Sequence, residues 1–163
     1  MAKVALNVAH PQGAYPARVI RARARDFLAA LGLEEVELSI LLTTDREIRS
    51  LNRRFRGKDR ATDVLSFPAG PPGPLPPGVP RPLGDLAISV DTARRVAAKE
   101  GRTLAFELSR YLAHGLLHLL GFDHEGSERE ARRMARKEAE LLGIPGMLGE
   151  AGIDFPPTGK KSR

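Results

Sequence analysis

The 163-residue chain has no cysteine and no tryptophan, and only 5% of its residues are aromatic. Without cysteine it forms no disulfide and offers no thiolate. That suits a reducing compartment and leaves histidine, aspartate and glutamate as the only strong metal ligands. No apolar run approaches the ~20 residues needed to span a bilayer, so no membrane segment is expected. The opening MAKVALNVAH lacks the long apolar stretch and small-residue cleavage site of a secretory signal, and a cytoplasmic location is expected. Asparagine and glutamine are scarce, a bias that suits heat adaptation.

What the chain has in excess is positive charge. Twenty-six Lys and Arg against 20 Asp and Glu give a formal charge of +6, and arginine far outnumbers lysine. Such a balance favours a polyanionic partner, because the guanidinium fork matches phosphate geometry. The length fits one domain with a real core. It is expected over residues 1–148, followed by a loosely ordered basic tail over 149–163 ending TGKKSR.

Hydrophobic spacing places the elements. Residues 4–8 read as a strand, and 17–31 as a helix stopped by Gly32. Val36, Leu38, Ile40 and Leu42 alternate as in a half-buried strand. Thr44 or Asp45 caps a helix ended by Gly57. VLSF at 64–67 is a third strand, and residues 68–82 hold eight of the thirteen prolines and read as a stiff surface loop. LAISV at 86–90 is a fourth strand, with Asp91 capping the helix that follows. A long helix covers 103–120, and Ser127 with Glu130 opens a last helix closed by Gly143. Interleaved strands and helices give an α+β (α/β) single domain with a mixed sheet of about four strands.

Three of the four histidines fall within HGLLHLLGFDH, residues 114–124. His114 and His118, four apart on a helix, share a face and can both reach one ion. Gly121 allows the chain to turn back, so that His124 joins them. Three neutral imidazoles with one open position describe a catalytic zinc, one per chain. Asp123 or Glu125 could orient a ligating ring, or could equally stand as a solvated surface charge. This spacing is that of zinc peptidases, yet Gly115 stands where a peptidase carries its glutamate base. Glycine cannot shuttle the proton that an amine leaving group needs. Phosphodiester cleavage asks for less from such a carboxylate.

The second charged feature is LNRRFRGKDRATDVLSFP, residues 51–68. Arg53, Lys58 and Arg60 are expected to contact substrate, and Arg56, just before Gly57, is expected to clamp phosphate. Cations at a helix C-terminus are also favourable in themselves, by ~0.3–1 kcal/mol each. Asp63 and Asp85 read as loop carboxylates at strand entrances.

Taken in order, LNRRFRGKDRATDVLSFP, LGDLAISV and HGLLHLLGFDH resemble the YbeY family of bacterial endoribonucleases and ribosomal RNA maturation factors. The resemblance runs from the first strand to about Gly143. It implies a four-stranded mixed sheet packed with helices, a zinc held by His114, His118 and His124, and a functional arginine at Arg56. It further implies metal-dependent, single-strand-specific cutting in late small-subunit (16S) rRNA maturation, including the 3′ end, and in ribosome quality control. The partners implied are the small ribosomal subunit and ribosomal or assembly proteins. Ala61 replaces a common proline and Phe122 a common tyrosine; neither removes a ligand. Two other readings stand beside the nuclease: a non-catalytic assembly factor with a structural zinc, and a metallopeptidase.

Overall fold

The computed structural model describes residues 1–143. The elements, in order, are β1 (Lys3–Val8), α1 (Ala14–Ala30), β2 (Val36–Thr43), α2 (Asp45–Arg56), β3 (Val64–Pro68), β4 (Arg81–Ser89), α3 (Val90–Glu100), α4 (Leu104–Leu119) and α5 (Glu128–Leu142). The strands form one mixed sheet in the order β1-β2-β4-β3, with β3 antiparallel to β4 and the other pairs parallel. This is the α+β single-domain architecture that the element pattern predicts. The expected boundary at 148 and the basic tail over 149–163 lie outside the described residues.

The alternation in β2 decides which sheet face is the core. Val36, Leu38, Ile40 and Leu42 are buried against Ile20, Phe27 and Leu28 of α1 and Leu108, Leu112 and Leu116 of α4. Each fully buried Leu, Ile or Phe of this set contributes roughly 1.5–3 kcal/mol through removal of apolar surface from water. Helix α4 is apolar nearly all round because it packs on α1, α3, α5, β3 and β4 at once. On the opposite face, α2 covers only part of the sheet, through a smaller cluster of Ile48, Leu65 and Ala87 with Leu41, Leu51 and Phe67 at its margin. The rest of that face is open.

Three local expectations are corrected. Strand β4 begins at Arg81, not 86, and Val90 starts α3 rather than ending the strand. Pro82 is tolerated because β3 pairs with β4 only from Gly84 onward, so one side of β4 is free there. Between Pro82 and Gly84 the ladder to β2 slips by one residue, a bulge that leaves Leu83 unpaired and buried. At Gly84 the backbone is left-handed (φ 134°), and a Cβ would lie 2.3 Å from the Phe67 carbonyl oxygen, so only glycine fits. The proline-rich connection is thereby shortened to residues 69–80. Finally, the cap of α3 is Ser89, whose Oγ accepts from Thr92 N–H at 3.1 Å, and not Asp91. Asp91 is taken up elsewhere: its carboxylate accepts from Asp45 N–H at 2.9 Å and meets His10 Nε2 at 2.7 Å.

Candidate metal centre

Helix α4 starts at a Thr103 cap and ends where Leu120 and Gly121 turn the chain. The turn is left-handed at Gly121 (φ 93°), with Gly121 N–H bonded to the His118 carbonyl and Phe122 N–H to that of Leu117. This brings the following loop back over the last turn of α4. Arg133 of α5 stacks on Phe122 at 4.7 Å and holds that loop against the last helix.

The result gathers His114, His118 and His124, whose candidate ligand atoms all lie within 4.8 Å of one another. Ring centroids are 4.6, 5.3 and 5.0 Å apart. The Nε2 atoms of His114 and His118 stand 3.1 Å apart, close to the ~3.3 Å expected of two imidazoles on one tetrahedral zinc. Among the described residues, no other group of three or more His, Cys, Asp or Glu comes together in this way. The fourth histidine, His10, is far off in its contact with Asp91.

One ring of the cluster is oriented by a residue that the sequence reading passed over. His114 Nδ1 lies 2.6 Å from Glu138 Oε1 on α5. The carboxylate only accepts, so Nδ1 carries the proton and Nε2 presents a bare lone pair to the cluster. His118 Nε2 stands 3.1 Å away and can turn a second lone pair to the same point, so the donor set fits a divalent ion of the zinc type. Of the two nearer acids, Asp123 accepts from Glu125 N–H at 2.8 Å, and the exposed Glu125 pairs with His124 Nε2 at 3.6 Å. Burial, and then the neighbouring His114 and His124, hold His118 below the usual imidazole range, which keeps it in the neutral form that binds metal.

Gly115 proves to be a packing position. A Cβ there would lie 2.8 Å from Leu86 Cδ2 and 3.1 Å from Val64 Cγ2, so the residue after the first histidine faces the sheet. Its carbonyl accepts from Ser66 Oγ at 3.3 Å. A side chain there would have to displace the tips of Leu86 and Val64.

The basic segment divides. Thr44 caps α2 and Gly57 (φ 67°) ends it, which sets Arg56 as its last residue. Arg56 Nη2 donates to the Ser66 carbonyl on edge strand β3 at 3.0 Å. Arg56, Ser66, His118, Asp123 and His124 line one cleft of about 200 Å³. Arg53, Lys58 and Arg60 are exposed and lie outside its lining. Their backbones build the turn: Gly57 N–H bonds to the Arg53 carbonyl, Lys58 N–H to that of Asn52, and Asn52 Nδ2 to that of Arg60. Asp63 does serve its strand entrance, accepting from Val64 N–H at 2.7 Å. Asp85 does not: it sits within β4 on the open face of the sheet.

Fold and site together define a one-domain α+β protein with a three-imidazole cluster that could hold a metal ion, beside an arginine-edged cleft. The comparisons give the class a name. The family model "Endoribonuclease YbeY" matches residues 14–144. The chain is similar to the endoribonuclease YbeY of Anaeromyxobacter dehalogenans, with 59% identity covering 91% of this chain and 74% of that one. It is also similar to that of Stenotrophomonas maltophilia, with 42% identity covering 97% and 94%. The solution structure of a Thermotoga maritima protein shares the fold, with TM-score 0.63 and 24% identity over 98% of this chain and all of that one. The chain belongs to the YbeY family.

Proposed function

We propose that the protein is a zinc-dependent endoribonuclease that cuts single-stranded RNA, with the maturing small-subunit rRNA, including its 3′ end, as its cytoplasmic substrate and ribosome quality control as its wider setting. The observation that supports this reading is that Arg56 lines one cleft with two of the three imidazoles, His118 and His124. His114, His118 and His124 would hold the ion. When bound, a divalent ion in such a site polarises phosphoryl oxygens and acidifies water toward neutral pH.

The chain's own residues do the rest. Glu138 fixes the His114 tautomer so that its Nε2 faces inward. Arg56 offers its fork to a phosphate seated in the cleft and neutralises charge that grows there during cleavage. Its bond to the Ser66 carbonyl holds the guanidinium at the β3 edge before substrate arrives. Arg53, Lys58 and Arg60, exposed around the α2–β3 turn, draw the flanking backbone by charge. The packing at Gly115 weighs against the peptidase reading, because glycine offers no base and the position faces Leu86 and Val64 of the sheet.

The test is direct. Protein loaded with one zinc should cut unstructured RNA and lose that activity to a chelator. His114→Ala should lose metal and cutting together, whereas Arg56→Ala should keep its metal and lose cutting. Full cutting by metal-free protein would remove the ion from the mechanism. RNA binding without cutting by zinc-loaded protein would favour the assembly-factor reading.

A further inference from the structure

The open face of the sheet carries a row of paired residues that the metal cleft does not use. Ala5 of β1 pairs with Ser39 of β2, Ser39 with Asp85 of β4, and Asp85 with Phe67 of β3. Paired residues share a face, so the four side chains stand in one line across the sheet. Beside them lie Asn7, Leu41 and Ala87, with Leu51 of α2 forming a wall, and together they bound a groove of about 400 Å³. Its floor is apolar and its polar groups are unspent. Asn7, Ser39 and Asp85 make no side-chain hydrogen bond or ion pair among the described residues.

At the β3 end of this row stands Phe55, still 59% exposed although it packs edge-on against Phe67 with centroids 5.4 Å apart. It sits between Arg54, whose guanidinium is 5.9 Å from the ring, and Arg56. Strand β3 therefore has two working faces. Ser66 looks into the metal cleft, Phe67 looks into the groove, and Arg56 spans the edge between them.

We propose that this groove is a nucleobase subsite, taking one unpaired guanine of the RNA beside the segment held in the metal cleft; this rests on the ribonuclease reading above. Charge complementarity selects the occupant. The carboxylate of Asp85 repels phosphate and accepts only, so it calls for the part of a nucleotide that donates. Guanine alone among the four bases offers two adjacent donors, N1–H and the N2 amine, in the bidentate geometry a carboxylate accepts. Phe55 and Phe67 supply a stacking surface, and Arg54 and Arg56 meet the backbone on either side. Watson–Crick pairing occupies that same guanine edge, so the subsite admits single strands and excludes duplex.

The test uses zinc-loaded protein and a short fluorescein-labelled RNA containing one guanine. Binding is read by anisotropy and cutting by single-turnover rate. Phe55→Ala should weaken binding about 5- to 150-fold, the range for one lost base stack, and leave the limiting cutting rate within about twofold. Phe55→Tyr should restore binding. Replacing guanine by inosine, which lacks the N2 amine, should weaken wild-type binding about tenfold. In Asp85→Asn, guanine and inosine should bind alike. Unchanged binding in Phe55→Ala, or the same inosine penalty in Asp85→Asn as in wild type, would overturn the subsite. Guanine-dependent binding without cutting would sink the nuclease reading and leave the subsite standing, and failure to bind RNA would sink both.

Discussion

Glu138 offers the sharpest test of the metal centre, because its effect is felt through a ligand and not at the ion. Its carboxylate meets His114 Nδ1 at 2.6 Å, with the two side chains 22% and 19% exposed. A charge-assisted hydrogen bond of this kind contributes about 1.5–3 kcal/mol when well shielded, and partial exposure trims that toward the lower end. Loss of an outer partner of a ligating histidine lowers metal affinity about 10- to 100-fold, or about 1.4–2.7 kcal/mol. The two figures agree. Glu138→Ala should therefore bind zinc about 10- to 100-fold more weakly in competition with a chromophoric chelator. Glu138→Gln, which keeps an acceptor but not the charge, should fall between. Glu140→Ala, on the same helix with an exposed side chain, serves as the control. Metal affinity in Glu138→Ala within about twofold of wild type, or an equal drop in the control, would refute the orienting role.

Further expectations concern chemistry and stability. Arg56→Ala should lower the cutting rate about 10²- to 10³-fold at full zinc occupancy, and Arg56→Lys should recover only part of it, because an ammonium lacks the fork. Gly115→Glu should yield no peptidase activity and cost about 3 kcal/mol or more of stability, read by denaturant titration, since it both overpacks Leu86 and buries a charge. At Asp45, burial opposes the ionised form, but hydrogen bonds from Ser89, Thr92 and Arg95 outweigh it and lower the pKa below 3.8. Asp91 is lowered too, burial again being outweighed by His10 and the Asp45 amide. Both contributions are complete above the ordinary carboxylate pKa and fade as pH falls through the lower folded-state values. Asp45→Asn should thus be less stable than wild type at neutral pH, with the difference shrinking in strong acid. RNA affinity should fall steeply on a log–log salt plot, and a flat slope would count against phosphate contacts.

What could be read in advance was what is local. His114 and His118 lie one helical turn apart, and Gly121 marks the reversal that returns His124, so eleven residues encode the whole candidate ligand set. Glu138 comes from another helix, twenty-four positions away. Its signal was nonetheless present: it falls on the stripe of Met134, Leu141 and Leu142 that α5 buries, where a lone carboxylate calls for a partner. Among the cations of the α2–β3 turn, spacing alone could not separate Arg56 from Arg53, Lys58 and Arg60. That choice depends on where edge strand β3 passes. The start of β4 was hidden because Pro82 and Gly84 look like breakers, and they are accommodated by a missing neighbour and a bulge that only the assembled sheet supplies. Ser89 and Asp91 are both good caps. Asp91 was unavailable because it is engaged by His10 and Asp45, from the loop after β1 and the start of α2.

The close fit of Gly115 against Leu86 and Val64 also bears on descent. A hydrolase with this histidine spacing and a peptidase with the same spacing look one substitution apart on paper. In this protein they stand further apart, because a side chain at 115 would meet Leu86 Cδ2 at 2.8 Å and Val64 Cγ2 at 3.1 Å, and both tips must give way to it. A carboxylate placed there would also start out facing the sheet, so the same exchange would have to redirect it as well as make room for it.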